Sequence, residues 1–133
     1  MPYIEPRSIT DEEARVIEVV PSRAPVSPST WLGRNCLTNV VVHSKCDCGC
    51  ASIGFLPESE KIPVETDRLA VGLGLTLHNQ EVGVLLFGTD RTLVELEIYW
   101  HENEPAPLPV AETIVSWEQG AQLREAAQKN SKA

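Results

Sequence analysis

Three of the four cysteines fall within five residues, Cys46-Asp-Cys48-Gly-Cys50, with His43 just upstream and Cys36 earlier in the chain. Thiolate and imidazole are zinc ligands, so Cys46, Cys48, Cys50 and either His43 or Cys36 make a candidate metal site. Zinc turns usually leave two residues between cysteines, and here one residue separates each pair. In an extended segment alternate sulfurs share a face about 7 Å apart, too far for one ion unless Gly49 folds the loop. A redox CxxC is missing, and no spacing pairs His43, His78 or His101 with a sulfur as a base. Asp47-Cys48-Gly49 is also a good reverse-turn sequence between two apolar segments, and small thiols suit a tight, partly buried hairpin. The turn reading ranks first and zinc second, with no other cofactor expected.

The second candidate is Thr92-Leu-Val-Glu-Leu-Glu-Ile-Tyr-Trp100. With a period of two, Val94, Leu96, Ile98 and Trp100 face a core, while Leu93, Glu95, Glu97 and Tyr99 share the other side. Two carboxylates beside a tyrosine make a contact surface for arginine and lysine, with Glu102 and Glu104 extending it. Glu95 and Glu97 also stand about 7 Å apart, compatible with an acid/base pair, but that chemistry needs a cleft and, here, a histidine. No catalytic residue is assigned: Walker, dinucleotide, G-x-S-x-G and H-E-x-x-H patterns are all missing.

At 133 residues the chain is read as one domain, with a formal charge of -8. From Thr92 to Leu123 there is no lysine or arginine, while Glu95, Glu97, Glu102, Glu104, Glu112 and Glu118 all fall there. That field opposes nucleic acid and anionic membranes and steers basic proteins inward. No apolar run is long enough to span a bilayer, and Met1-Pro-Tyr-Ile lacks a secretory pattern. The expectation is a cytoplasmic monomer or homodimer with reduced thiols.

The elements that must position these residues follow from capping and periodicity. Thr10 and Glu13 form a capping box for a helix over residues 8–20, which Pro21 should stop. Residues 21–29 read as a proline/serine connector. Five strands follow within residues 38–100: Thr38 to His43, Ala51 to Leu56, Leu69 to Leu77, Glu81 to Phe87 and Thr92 to Trp100. Hairpin-length connections make the last three an antiparallel meander, with Glu81 to Phe87, apolar on both faces, as a central strand. Ala70, Gly72, Gly74 and Thr76 form a small-residue face that something approaches closely, a helix before a ligand. Residues 101–112 are a proline-rich connector, and Ser116 caps a last helix over 116–129. The class is α+β, with an N-terminal helix, a five-stranded mainly antiparallel sheet and a short C-terminal helix.

The Cys46-x-Cys48-Gly-Cys50-x-Ser52 hairpin, the Gly83-Val-Leu-Leu-Phe87 strand and Leu96-Glu-Ile-Tyr99 together resemble a group of small uncharacterised bacterial proteins. That group also places a capped helix before a CGC hairpin and follows G-V-x-L-F with D-G-x-L-x-x-L-E-[IV]-Y. The resemblance covers roughly residues 8 to 101 and implies fold and bacterial origin rather than an activity. It departs at Thr89-Asp-Arg91, which replaces Asp-Gly and argues against a two-residue turn.

Taken together, these residues point to a small acidic binding protein. The reading is an immunity- or antitoxin-type inhibitor that offers Leu93, Glu95, Glu97, Tyr99, Glu102 and Glu104 to a basic toxin or nuclease domain. The alternative is a zinc-binding domain on the cysteine turn.

Overall fold

A computed structural model describes residues 1–25, 40–60, 66–89, 92–100, 102 and 104–131. Its first element is a strand, β1 (Tyr3–Ser8), followed by helix α1 (Asp11–Arg23). The helix begins as its sequence dictates. Glu13 N–H donates to Thr10 Oγ1 at 3.1 Å, and Thr10 N–H donates back to Glu13 Oε1 at 2.9 Å. Asp11, Glu12 and Glu13 lie where the helix dipole favours negative charge. Arg7, at the end of β1, closes a fork on Glu13 with two bonds of 2.9 Å, so the buried carboxylate is fully paired. Val16, Ile17, Val19 and Val20 are the buried stripe.

Pro21 does not stop α1. It sits in the last turn, where its missing N–H removes a single bond, and Ala24 N–H still reaches Val20 O at 2.8 Å. The helix therefore runs three residues further than expected, and residues 21–23 leave the connector. Residues 26–29 of that connector lie outside the described residues.

Strands β2 (Val41–Lys45), β3 (Ile53–Gly54), β4 (Asp67–Leu75), β5 (Glu81–Gly88), β6 (Leu93–Tyr99) and β7 (Val115–Ser116) complete a seven-stranded antiparallel sheet. Its order is β1-β2-β3-β6-β5-β4-β7. Helix α2 (Trp117–Ser131) closes the described chain, with Gln119 N–H bonded to Ser116 Oγ as the cap pattern required. The class is α+β, with seven strands rather than five and a strand rather than a helix first. Residues 38 and 39 of the expected second-strand region lie outside the described residues.

The meander is present. β4 pairs β5 from Asp67↔Gly88 to Leu75↔Glu81, and β5 pairs β6 from Gly83↔Tyr99 to Gly88↔Leu93. The β5–β6 connection is a wider turn than two residues, closed by Thr89 N–H on Thr92 O and Thr92 N–H on Thr89 Oγ1. Between β4 and β5 the strand pattern ends earlier than alternation suggests. Buried Thr76 accepts from His78 N–H and Gln80 N–H, Asn79 takes φ +60°, and Leu77 projects from the turn, 86 % exposed.

Alternation is broken in two places at one end of the sheet. The register shifts between Arg68 and Ala70 on β4, and between Leu93 and Glu95 on β6. Each irregularity adds a residue to one strand and re-aims a side chain. Leu69 and Leu93 consequently both join the main core, although a strict period of two sends each to the opposite face.

The inner face carries Val82, Val84, Leu86, Leu96 and Ile98 against the α1 stripe. Each such side chain contributes about 1.5–3 kcal/mol through burial. The small-residue face of β4 is approached by the chain itself. A Cβ at Gly72 would meet Val115 O at 2.9 Å and Ala24 at 3.3 Å, and one at Gly74 would meet Pro109 at 2.8 Å. The proline-rich segment and the end of α1 thus occupy the space offered to a helix or ligand. Val110 N–H and Thr113 Oγ1 bond the Leu75 backbone, fixing that segment along β4. Among the described residues, no helix is long and apolar enough to cross a membrane.

Candidate functional site

The cysteine turn folds more tightly than an extended segment. Gly49 adopts φ +92°, a conformation glycine tolerates best, and its N–H donates to Cys46 O at 3.3 Å. Cys46 N–H bonds Ser52 O at 3.2 Å and Ala51 N–H bonds Ala106 O at 2.8 Å, tying the turn to the segment beyond β6. The reverse turn is therefore real, and Gly49 folds the loop so that the separation expected of an extended segment does not apply. The sulfurs of Cys46, Cys48 and Cys50 all lie within 4.8 Å of one another. Cys46 and Cys48 are joined as a disulfide and Cys50 is a free thiol, so the expectation of three reduced thiols is corrected. His43, on β2, does not join this group. Cys36 lies outside the described residues.

The second candidate lies on the outer face of the sheet. Glu95, Glu97 and Tyr99 share it, as the period of two required. Leu93 does not: the bulge turns it inward and leaves it 5 % exposed, so it is not a contact residue. Across the ladder Glu97 faces Leu85, which faces Val71, and Glu95 faces Phe87. Arg68, Val71, Leu85, Phe87, Glu97, Tyr99 and Trp117 line a shallow open depression of about 500 Å³. Tyr99 lies flat over Gly83, so closely that an added Cβ would overlap its ring. Trp117, at the start of α2, forms another wall and is 46 % exposed. Glu102 and Glu104 are exposed just past β6 and do not line the depression; Glu104 O accepts Trp100 Nε1–H at 2.8 Å.

Electrostatics single out Glu95 and Tyr99 on this face. Burial raises the Glu95 carboxyl, the neighbouring Glu97 charge raises it further, and the chain's amino terminus only partly opposes them. Among the described residues Glu95 has no hydrogen-bond partner. Tyr99 is raised too, first by burial and then by Glu97, against the pull of Arg68, so it remains a phenol donor through neutral pH. The acid/base pairing of Glu95 with Glu97 is not assembled: Glu97 lines the depression, while Glu95, His43 and His78 do not. His101 lies outside the described residues.

Arg68, Val71, Leu85, Phe87 and Trp117 were missed as site residues. Alternation within Glu81–Phe87 does set Leu85 and Phe87 apart from Val84 and Leu86, but only the cross-strand register puts them beside Glu97. Arg68 arrives through the same ladder, opposite Phe87, and Trp117 through tertiary packing; neither carries a local signal. No family model, curated protein or solved structure matches the chain.

Proposed function

We propose that the chain is a binding protein that offers the outer face of β4–β6 to a basic protein partner. The finer reading is an immunity- or antitoxin-type inhibitor of a toxin or nuclease domain. One observation carries it: partly exposed Val71 and Phe87, with buried Leu85 beneath, floor an open depression whose rim holds Glu97, Tyr99, Trp117 and Arg68. Tyr99 is already held against Gly83, so little side-chain freedom is lost on docking. Glu95 is partly desolvated with no hydrogen-bond partner among the described residues, and an incoming guanidinium would supply such bonds. The net charge of -8 would speed encounter with a cationic surface.

The test is retention of proteins from a lysate of the source organism on immobilised wild-type chain and on the Glu97→Lys and Tyr99→Ala variants. The expected outcome is a basic protein bound by wild type and released by moderate salt. Its affinity should fall by about 1–2 kcal/mol or more in each variant. Co-expression of that partner with wild type, but not with Glu97→Lys, should suppress its activity. The reading fails if every protein retained by wild type is retained equally by Glu97→Lys.

A further inference from the structure

The cysteine turn carries chemistry that the outer face does not use, and none of its residues lines that face. Three sulfurs converge within 4.8 Å, and among the described residues no histidine, aspartate or glutamate joins them. A cation that holds thiolates at about 2.3 Å places its sulfurs about 3.8–4.0 Å apart, a separation this cluster reaches by side-chain rotation once Cys46 and Cys48 are unlinked. The Cα atoms of that pair are 5.4 Å apart. Backbone donors already point at two sulfurs: Cys50 N–H at Cys48 Sγ, 3.4 Å, and Ala106 N–H at Cys50 Sγ, 3.3 Å. Donors of this kind orient thiolate ligands and favour their charge. Cys48 is exposed while Cys46 and Cys50 are half-buried, so an ion can enter from solvent.

Zinc in a structural site closes a tetrahedron with four ligands, whereas soft monovalent copper is satisfied by fewer, purely sulfur donors. We infer that Cys46, Cys48 and Cys50 form, in the reduced chain, a three-thiolate site for one copper(I) ion, and that the Cys46–Cys48 disulfide is its closed form. Opening consumes two equivalents of a monothiol reductant. The disulfide gains two electrons and two protons, and the reductant leaves as its own disulfide. Copper(I) then displaces one proton from each of the three thiols, with no change in its oxidation state.

The experiment uses the full chain, reduced with a phosphine under argon, desalted, and titrated with copper(I) against a chromophoric copper(I) chelator. A parallel sample with the disulfide intact and a zinc(II) titration complete it. One copper(I) per chain is expected in the reduced protein, with a near-ultraviolet thiolate-to-copper band, and none in the oxidised protein. Cys46→Ser, Cys48→Ser and Cys50→Ser should each weaken binding more than about tenfold, and His43→Ala should leave it unchanged. Alkylating a folded Cys36→Ser chain, whose remaining thiols are the three of the turn, should abolish its uptake of one copper, which guards against a variant that fails to fold. The proposal is overturned if the reduced chain loses copper(I) to the chelator, or if Cys50→Ser binds as wild type does. It is equally overturned if the oxidised chain takes up copper, or if zinc is held one per chain through His43 or Cys36.

Discussion

The two faces of one sheet divide the work of the molecule. On the inner face Val84, Leu86, Leu96 and Ile98 are closed off by α1 and the proline-rich segment. On the outer face, α2 meets β4 where Gly120 packs on Leu73, leaving Glu97, Tyr99, Leu85 and Phe87 around an open depression. β6 supplies both surfaces from alternate residues. The contrast also holds for their partly desolvated glutamates. Glu13, in the inner layer, would be raised by burial, but the Arg7 fork and Thr10 more than offset that and bring it below the usual carboxylate range. Glu95 has no such partners and goes the other way. The inner layer hydrogen-bonds its glutamate; among the described residues the outer face leaves Glu95 with only the longer-range pull of the amino terminus.

Substitutions across the two faces should separate folding from binding. Leu96→Ala empties a fully buried inner site and should cost about 3–4 kcal/mol in urea unfolding, whereas Glu97→Ala, one residue away, should cost less than about 0.5. Comparable losses would erase the distinction. Gly83→Ala should cost about 1–3 kcal/mol by driving a methyl into the Tyr99 ring, and adding Tyr99→Ala should recover part of it in a double-mutant cycle. An additive pair would mean that the ring is not seated there.

The glutamates give the smaller, pH-dependent effects. The Glu13 carboxyl is lowered in the fold, so its stabilisation is present above the unfolded value near ~4.3 and is lost as pH falls through the folded one. Arg7→Met should therefore destabilise by about 1–3 kcal/mol at pH 7, and most of that difference should vanish on acidification below pH ~4. Glu95 has the opposite sign. Its protonated form favours the fold fully below the unfolded value, and that advantage disappears as pH rises through the raised folded one. Glu95→Gln should accordingly raise the melting temperature by a few degrees at pH 7 and not at all near pH ~4. A destabilised Glu95→Gln would indicate a favourable contact for that carboxylate.

Local signals were legible in the sequence where the physics is local. The Thr10–Glu13 box located the start of α1, and alternation placed Glu95, Glu97 and Tyr99 together. Non-local geometry was not. The bulges that turn Leu69 and Leu93 inward leave no trace in an alternating pattern, since leucine suits either face. β1 and β7 escaped notice because one carries Pro6 and the other has only two residues, each a strand only by virtue of its partner. The cysteine turn was legible only in part: its sequence signalled the turn and Gly49 as its pivot, but how closely the sulfurs converge depends also on Ala106, far along the chain.

Pro6 and the skewed register of β1, with the two-residue length of β7, have one more consequence. Among the described residues, Pro6 interrupts the main-chain donors of one rim strand and the other rim strand has only two residues, so a visiting strand finds a broken or short ladder to continue. Self-templated fibre growth is blunted for the same reason. A visitor must come broadside, where it is judged by its side chains rather than by its backbone.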